Sequence, residues 1–317
     1  MKLARNIALR EGAEFDVVRR MLARWGDLAA HIGDDAAVLS GISAGSLVIS
    51  TDTAVENVDF RRGWLGPREI GYRATAAALS DLAAMAATPI GILLAMTLPD
   101  EWCKDIDAIA DGVGDALRES STQIVGGDLS GGRDLSFTVT VLGLAEHPLL
   151  RSGATAGDLV YVTGELGGPA AAVRALSAGH EPDPEYRERF AHPIPRIREA
   201  QWLVNQGATA AADISDGLAE DLANIAAASG VCISLSLDKI PRMKGIESME
   251  AAGSGEEYEL AVTSMHPLDA AKFRAEFGIA LTEVGSVETG PPVVRLLDRG
   301  APVPTPSGYL HFREAAE

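Results

Sequence analysis

The sequence predicts an α/β protein of two domains. Three observations lead to that. In the first half, short apolar runs of strand type are interleaved with longer alanine-rich runs of helical type. The interleaving resumes after Glu146–Ser152, a short polar stretch that reads as a boundary. And 317 residues exceed the size at which one hydrophobic core keeps growing. The expected domains are 1–146 and 147–317.

The elements follow in order. Phe15, Val18, Met21, Leu22 and Trp25 recur at helical intervals and predict a helix over 15–30. Two short strands come next, Ala36–Leu39 and Leu47–Ile49, with acidic groups at their ends: Asp34 and Asp35 before the first, Ser50-Thr51-Asp52 after the second. Glu69–Ala86 is an alanine-rich helix containing Asp81, broken by Pro89, and Gly91–Leu98 is a strand. A helix over 105–120, a short strand over 123–125 leading into Gly126-Gly127-Asp128, and a β-branched strand over 135–145 complete the first half. The second half is expected to hold strands at 158–163, 210–214, 231–237, 258–263, 281–286 and 293–297, and helices at 169–178, 196–206, 218–229 and 267–277. His180–Pro195, charged and carrying four prolines, reads as a surface connection.

Composition excludes several classes. With 45 acidic against 27 basic residues, the net charge of −18 disfavours nucleic acid and anionic membrane as partners. A phosphate-handling enzyme of this charge needs local arginines or metal ions. Cys103 and Cys232 lack metal-ligand spacing and are too few for a disulfide framework, so buried free thiols in a reducing cytoplasm are expected. The N-terminal stretch has no uninterrupted apolar region, so no signal peptide is expected. Leu82–Pro99, the longest uncharged stretch, contains Pro89 and Gly91 and reads as a helix turning into a strand. No phosphate-binding P-loop, GxGxxG or HExxH motif is present.

What remains is a series of carboxylates at strand ends and on alanine-rich elements: Asp35, Asp52, Asp81, Asp128, Asp213 and Asp216. Each alone also fits a turn, a cap or a solvent-facing position. Together, as hard oxygen donors spread over both halves, they fit a site where metal ions clamp phosphates for phosphoryl transfer.

The words GDDAAV, STDTAVENVDF, GYRATAAALSDLAAMAATP, GGD, RSGATAGDLVYVTG, DISDGLAEDLANIAAASG, GEEYEL and GYLHF occur in this order. In that order they resemble the thiamine-monophosphate kinase family, part of the superfamily of aminoimidazole ribonucleotide synthetase. The resemblance implies the two-domain aminoimidazole ribonucleotide synthetase-like fold, with an N-terminal α/β domain that pairs across a homodimer. It implies ATP- and Mg²⁺-dependent phosphorylation of thiamine monophosphate by direct transfer, without a covalent nucleophile. Matched motif by motif, it implies Asp35, Ser50, Thr51, Asp52, Asp81, Asp128, Asp213 and Asp216 as ligands of several Mg²⁺ ions. It implies Gly127, Asp128, Arg151 and Ser215 at the ATP, and Asp59, Glu257 and Tyr309 at the thiamine phosphate. On residue type alone, Arg151 also fits a rim arginine and Tyr309 a packing residue.

The chain departs from the family pattern in places. Asp59 stands where the family carries His, and an ionised Asp cannot donate a hydrogen bond to a phosphate. Ala110 lies in a small-residue stretch where an aromatic near the adenine is usual, Leu310 replaces an acidic residue, and Ala86 replaces a glycine. The alternatives are therefore a superfamily member that activates another small acceptor with ATP, and a catalytically weak nucleotide-binding homologue.

Overall fold

The structure, a computed structural model, describes residues 36–42, 45–306 and 308. The helix expected over 15–30 lies outside the described residues. The chain forms two compact units: 38–148 with 168–201 (the N-terminal unit), and 149–167 with the described residues from 202 onward (the C-terminal unit). The first unit therefore takes back a segment of the second half.

The N-terminal unit is a five-stranded sheet in the order β1-β2-β5-β3-β4, formed by β1 (Ala37–Ile42), β2 (Gly45–Val55), β3 (Thr88–Leu98), β4 (Ile124–Gly131) and β5 (Ser136–Ala145). β5 pairs antiparallel with both β2 and β3, while β3 and β4 run parallel, joined through α2 (Ile106–Glu119). β5 alternates buried and half-buried residues along its whole length, so one face of the sheet packs on helices. α1 (Pro67–Ala84) covers that face. Pro67 fits the first helical turn, and the Gly66 N–H donates to Glu69 Oε2 at 2.6 Å. Alanines let α1 be buried nearly all round. α1 and α2 approach so closely that a Cβ at Gly71 would sit 2.2 Å from the Ile109 carbonyl oxygen, and one at Gly112 only 1.8 Å from that of Arg68. This crossing is the physical reason for Gly71 and Gly112, whereas Ala110 beside them is exposed. Ala86, just past the end of α1, holds the left-handed φ of 51°.

The returned segment carries α3 (Gly168–Ser177) and α4 (Pro184–Ala191). The surface connection expected over 180–195 thus contains a helix. Its prolines flank the helix: Pro184 takes the first turn, and Asp183 caps the end by accepting from the Glu185 N–H at 2.9 Å. Arg187 makes paired bonds to Glu69 of 2.7 and 2.8 Å, and the Arg73 guanidinium lies 4.2 Å from the Phe190 ring centre and donates to the Phe190 carbonyl.

The C-terminal unit is a seven-stranded sheet in the order β12-β11-β8-β10-β6-β9-β7. Its strands are β6 (Leu159–Thr163), β7 (Ala208–Asp213), β8 (Cys232–Ser236), β9 (Leu260–Ser264), β10 (Leu281–Glu288), β11 (Val294–Asp298) and β12 (Ala301–Val303). Only β8 and β11 pair in parallel. α5 (Ile197–Asn205), α6 (Leu218–Ser229), α7 (Ser248–Ala252) and α8 (Ala270–Phe277) complete the helices of the described residues. α7 and β12 are too short to leave a period in the sequence. Cys232 is buried as expected, but Cys103 is exposed: it lies in a 3₁₀ turn where the neighbouring Trp102 takes the buried position.

Candidate functional site

In the N-terminal unit the acidic end of β2 lies against α1. Pleating turns Val48, Ser50 and Asp52 toward one face, and the buried Val48 marks it as the helix-covered one. Ser50 Oγ donates to Asp81 Oδ2 at 2.5 Å. Asp81 is half-buried in α1 between the fully buried Ser80 and Leu82. A carboxylate in that setting is costly unless bonded, and the Ser50 hydroxyl supplies one bond. The exposed Asp52 accepts the Thr53 N–H at 2.8 Å through Oδ1.

Thr51 faces the other side, where its hydroxyl pairs with that of Thr140 at 3.0 Å. The expected strand over 123–125 extends as β4 through Gly127 and Asp128, because parallel pairing with β3 needs only backbone. Gly127 is required there: a Cβ would lie 2.0 Å from the Leu94 carbonyl oxygen. The register places Gly127 in the row of Leu94, Val139 and Asp52, and Asp128 in the next row with Ala95, Thr138 and Thr53. Ser50, Asp52 and Asp81 thus share a face, and Asp128 and Thr51 belong to the opposite one. Asp59 closes the turn after β2, its Oδ2 accepting the Val55 N–H at 2.7 Å. Asp35 and Tyr309, like Leu310, lie outside the described residues. Among the described residues no three His, Cys, Asp or Glu side chains gather into a metal-holding group. The donors on the β2–α1 face, two carboxylates and a hydroxyl, are of the hard-oxygen kind that fits Mg²⁺.

In the C-terminal unit, β7 ends at Asp213, 4% exposed, and the chain turns through Ile214–Gly217 into α6. Asp221, in the first turn of α6 and 2% exposed, accepts the N–H groups of Ser215, Asp216 and Gly217 through Oδ2 at 3.1, 3.2 and 3.1 Å. Sequence reasoning missed Asp221. The signal for it was an acidic residue four positions beyond Gly217, at a helix start.

The GEEYEL segment docks on the same turn. The Glu256 N–H donates to the Ser215 carbonyl at 2.7 Å, and those of Glu257 and Tyr258 to the Ile214 carbonyl at 3.1 and 2.9 Å. Glu256 and Tyr258 hold left-handed φ values of 64° and 53°. Glu257 between them is 1% exposed, and its Oε1 accepts the Gly167 N–H and the Ser254 hydroxyl, each at 2.5 Å. Glu259, fully buried, accepts the Thr163 hydroxyl at 2.6 Å. The described chain ends on this turn as well: a Cβ at Gly308 would lie 2.3 Å from the Asp216 carbonyl oxygen. Arg151 stands elsewhere in the unit. Its carbonyl accepts the hydroxyl of Ser229, at the far end of the 12-residue α6, roughly 18 Å from the turn by helix rise.

Among the described residues no helix is long and apolar enough to cross a membrane. The family model of the AIR synthase related protein N-terminal domain matches residues 33–145, and that of its C-terminal domain matches 155–296. The chain is 35% identical to the thiamine-monophosphate kinase of Salmonella typhimurium, over 90% of this chain and 93% of that protein. It is 31% identical to that of Bacillus subtilis, over 95% and 99% respectively. Among solved structures it resembles AaThiL complexed with AMPPCP and TMP, with a TM-score of 0.83 and 28% identity, over 97% of this chain and 99% of that one.

Proposed function

Because the chain belongs to the thiamine-monophosphate kinase family within the AIR synthase related proteins, we propose that it transfers the γ-phosphoryl group of ATP to the phosphate of thiamine monophosphate, giving thiamine diphosphate and ADP. The observation that carries this reading is the likeness, over nearly the whole chain, to a protein complexed with AMPPCP and TMP. An oxygen of the acceptor phosphate is the nucleophile, so no side chain need form a covalent intermediate, and the protein's task is positioning and charge compensation.

Asp35, Ser50, Thr51, Asp52, Asp81, Asp128, Asp213 and Asp216 are the residues proposed to hold Mg²⁺, which when bound would neutralise phosphate oxygens. Ser50 fixes the orientation of the Asp81 carboxylate through its 2.5 Å bond. The Arg151 guanidinium and the Ser215 hydroxyl are proposed as separate contacts to nucleotide phosphates, with the backbone of Gly127 and the Asp128 side chain as further ones. On the acceptor side, Glu257 supports the Gly167 backbone, and Tyr309 follows directly on Gly308, which lies against the Asp216 turn. Asp59 is assigned to the same side.

A homodimer is part of the proposal. Its support is the apolar exposure along β3 and the edge strand β4, where Leu93, Ile124, Val125 and Leu129 are 41–60% exposed, Leu93 on the face opposite the helices. A cytoplasmic setting is proposed on the two free cysteines.

The test is direct. Purified protein with ATP, Mg²⁺ and thiamine monophosphate forms thiamine diphosphate, separated by chromatography. No product, beside an active control enzyme, rejects the acceptor.

A further inference from the structure

We propose that Asp221 is a positioning residue for nucleotide and metal binding, an inference that rests on the kinase reading. The N-terminus of a helix offers unpaired N–H groups and the positive end of the helix dipole, and in many nucleotide-binding turns a ligand phosphate fills that place. Here the chain sets its own carboxylate against the turn that leads into α6. Asp221 Oδ2 takes the three successive N–H groups of Ser215, Asp216 and Gly217. Those amides are therefore not available to a phosphate, and recognition from this turn falls to the side chains of Ser215 and Asp216.

The turn is also gripped from its other side. Its carbonyls at Ile214 and Ser215 accept the N–H groups of Glu256, Glu257 and Tyr258. Gly255 and Gly308 approach so closely that a Cβ would lie 2.6 Å from the Ser215 oxygen and 2.3 Å from the Asp216 oxygen. Donors are thus held from within by one buried carboxylate and acceptors from without by the GEEYEL segment. A loop fixed on both sides presents two proposed ligands in one geometry. Its backbone cannot relax to compensate for a lost bond without disturbing them.

The experiment measures binding, so it needs no acceptor. Titration calorimetry with Mg²⁺ and AMPPCP compares the unaltered protein with Asp221→Asn, Asp221→Glu and Asp269→Ala. The last removes the cap of α8, where Asp269 accepts the Lys272 N–H at 2.9 Å, and controls for simple destabilisation. Asp221→Asn keeps the shape and one acceptor oxygen but loses the charge. It is expected to weaken Mg–AMPPCP binding roughly 10- to 100-fold and to raise the Mg²⁺ midpoint in parallel. Asp221→Glu keeps the charge and recovers part of that loss, whereas a residue that merely fills space ranks Glu below Asn. Asp269→Ala lowers the melting temperature and leaves both midpoints unchanged. Binding by Asp221→Asn within twofold of the unaltered protein overturns the proposal, as does a Glu variant weaker than the Asn one. If the unaltered protein binds Mg–AMPPCP but makes no thiamine diphosphate, the acceptor assignment fails and the role of Asp221 is still measured. If it binds no nucleotide at all, the kinase reading and this proposal fall together.

Discussion

Ser50 and Asp81 are 31 positions apart in the chain and 2.5 Å apart in space. The hydroxyl directs one carboxylate oxygen, and a carboxylate that must meet a metal in one orientation depends on such a partner. Ser50→Ala is therefore expected to raise the Mg²⁺ needed for half-maximal rate about tenfold while the protein remains folded. Titrating the rate with Mg²⁺ checks this, and an unchanged midpoint would remove Ser50 from the site. Asp59 shows the opposite situation. Its carboxylate accepts the Val55 N–H and closes the turn after β2, so the departure from the family's His has a local structural use. Glu257 is likewise engaged within the fold, its Oε1 accepting the Gly167 N–H and the Ser254 hydroxyl.

At the scale of elements, α4 and α1 are joined by Arg187–Glu69 and Arg73–Phe190. Burial acts most strongly on the Glu69 carboxyl, pushing its pKa up, but the bonds from Arg187 and the Gly66 N–H, with the charges of Arg187 and His192, outweigh it and hold the group below its ordinary value. A carboxylate lowered in the folded state contributes stability above its unfolded value and loses it as pH falls through the folded one. Glu69→Gln should thus be less stable than the unaltered protein near neutrality, with the difference shrinking as the solution becomes acid. Urea midpoints measured across that range test it, and a difference independent of pH would refute the clamp's charge dependence.

For the whole molecule, the N-terminal unit is incomplete without residues 168–201, because Phe190, 1% exposed, belongs to its interior. Its sheet carries helices on one face and leaves apolar residues of β3 and β4 exposed. If that surface is where two copies meet, Leu93→Glu places charges in the interface and yields a monomer. Sedimentation or light scattering decides. A dimer that persists in Leu93→Glu would locate the contact elsewhere.

The sequence by itself determined most elements and the order of the motifs. Alanine-rich helical periods, β-branched runs and the SDG turn before α6 are local signals, and local signals survive in one dimension. It missed α4, because prolines that cap a helix look like prolines that break one. Only the tertiary structure decided which groups meet: Ser50 with Asp81, Asp221 with the turn before α6, Glu257 with Gly167. It also set Asp128 in a different row of the sheet from Asp52, and the backbone of Arg151 at the far end of α6 from Ser215. Register and the return of 168–201 are long-range choices made by packing, and no residue type records them.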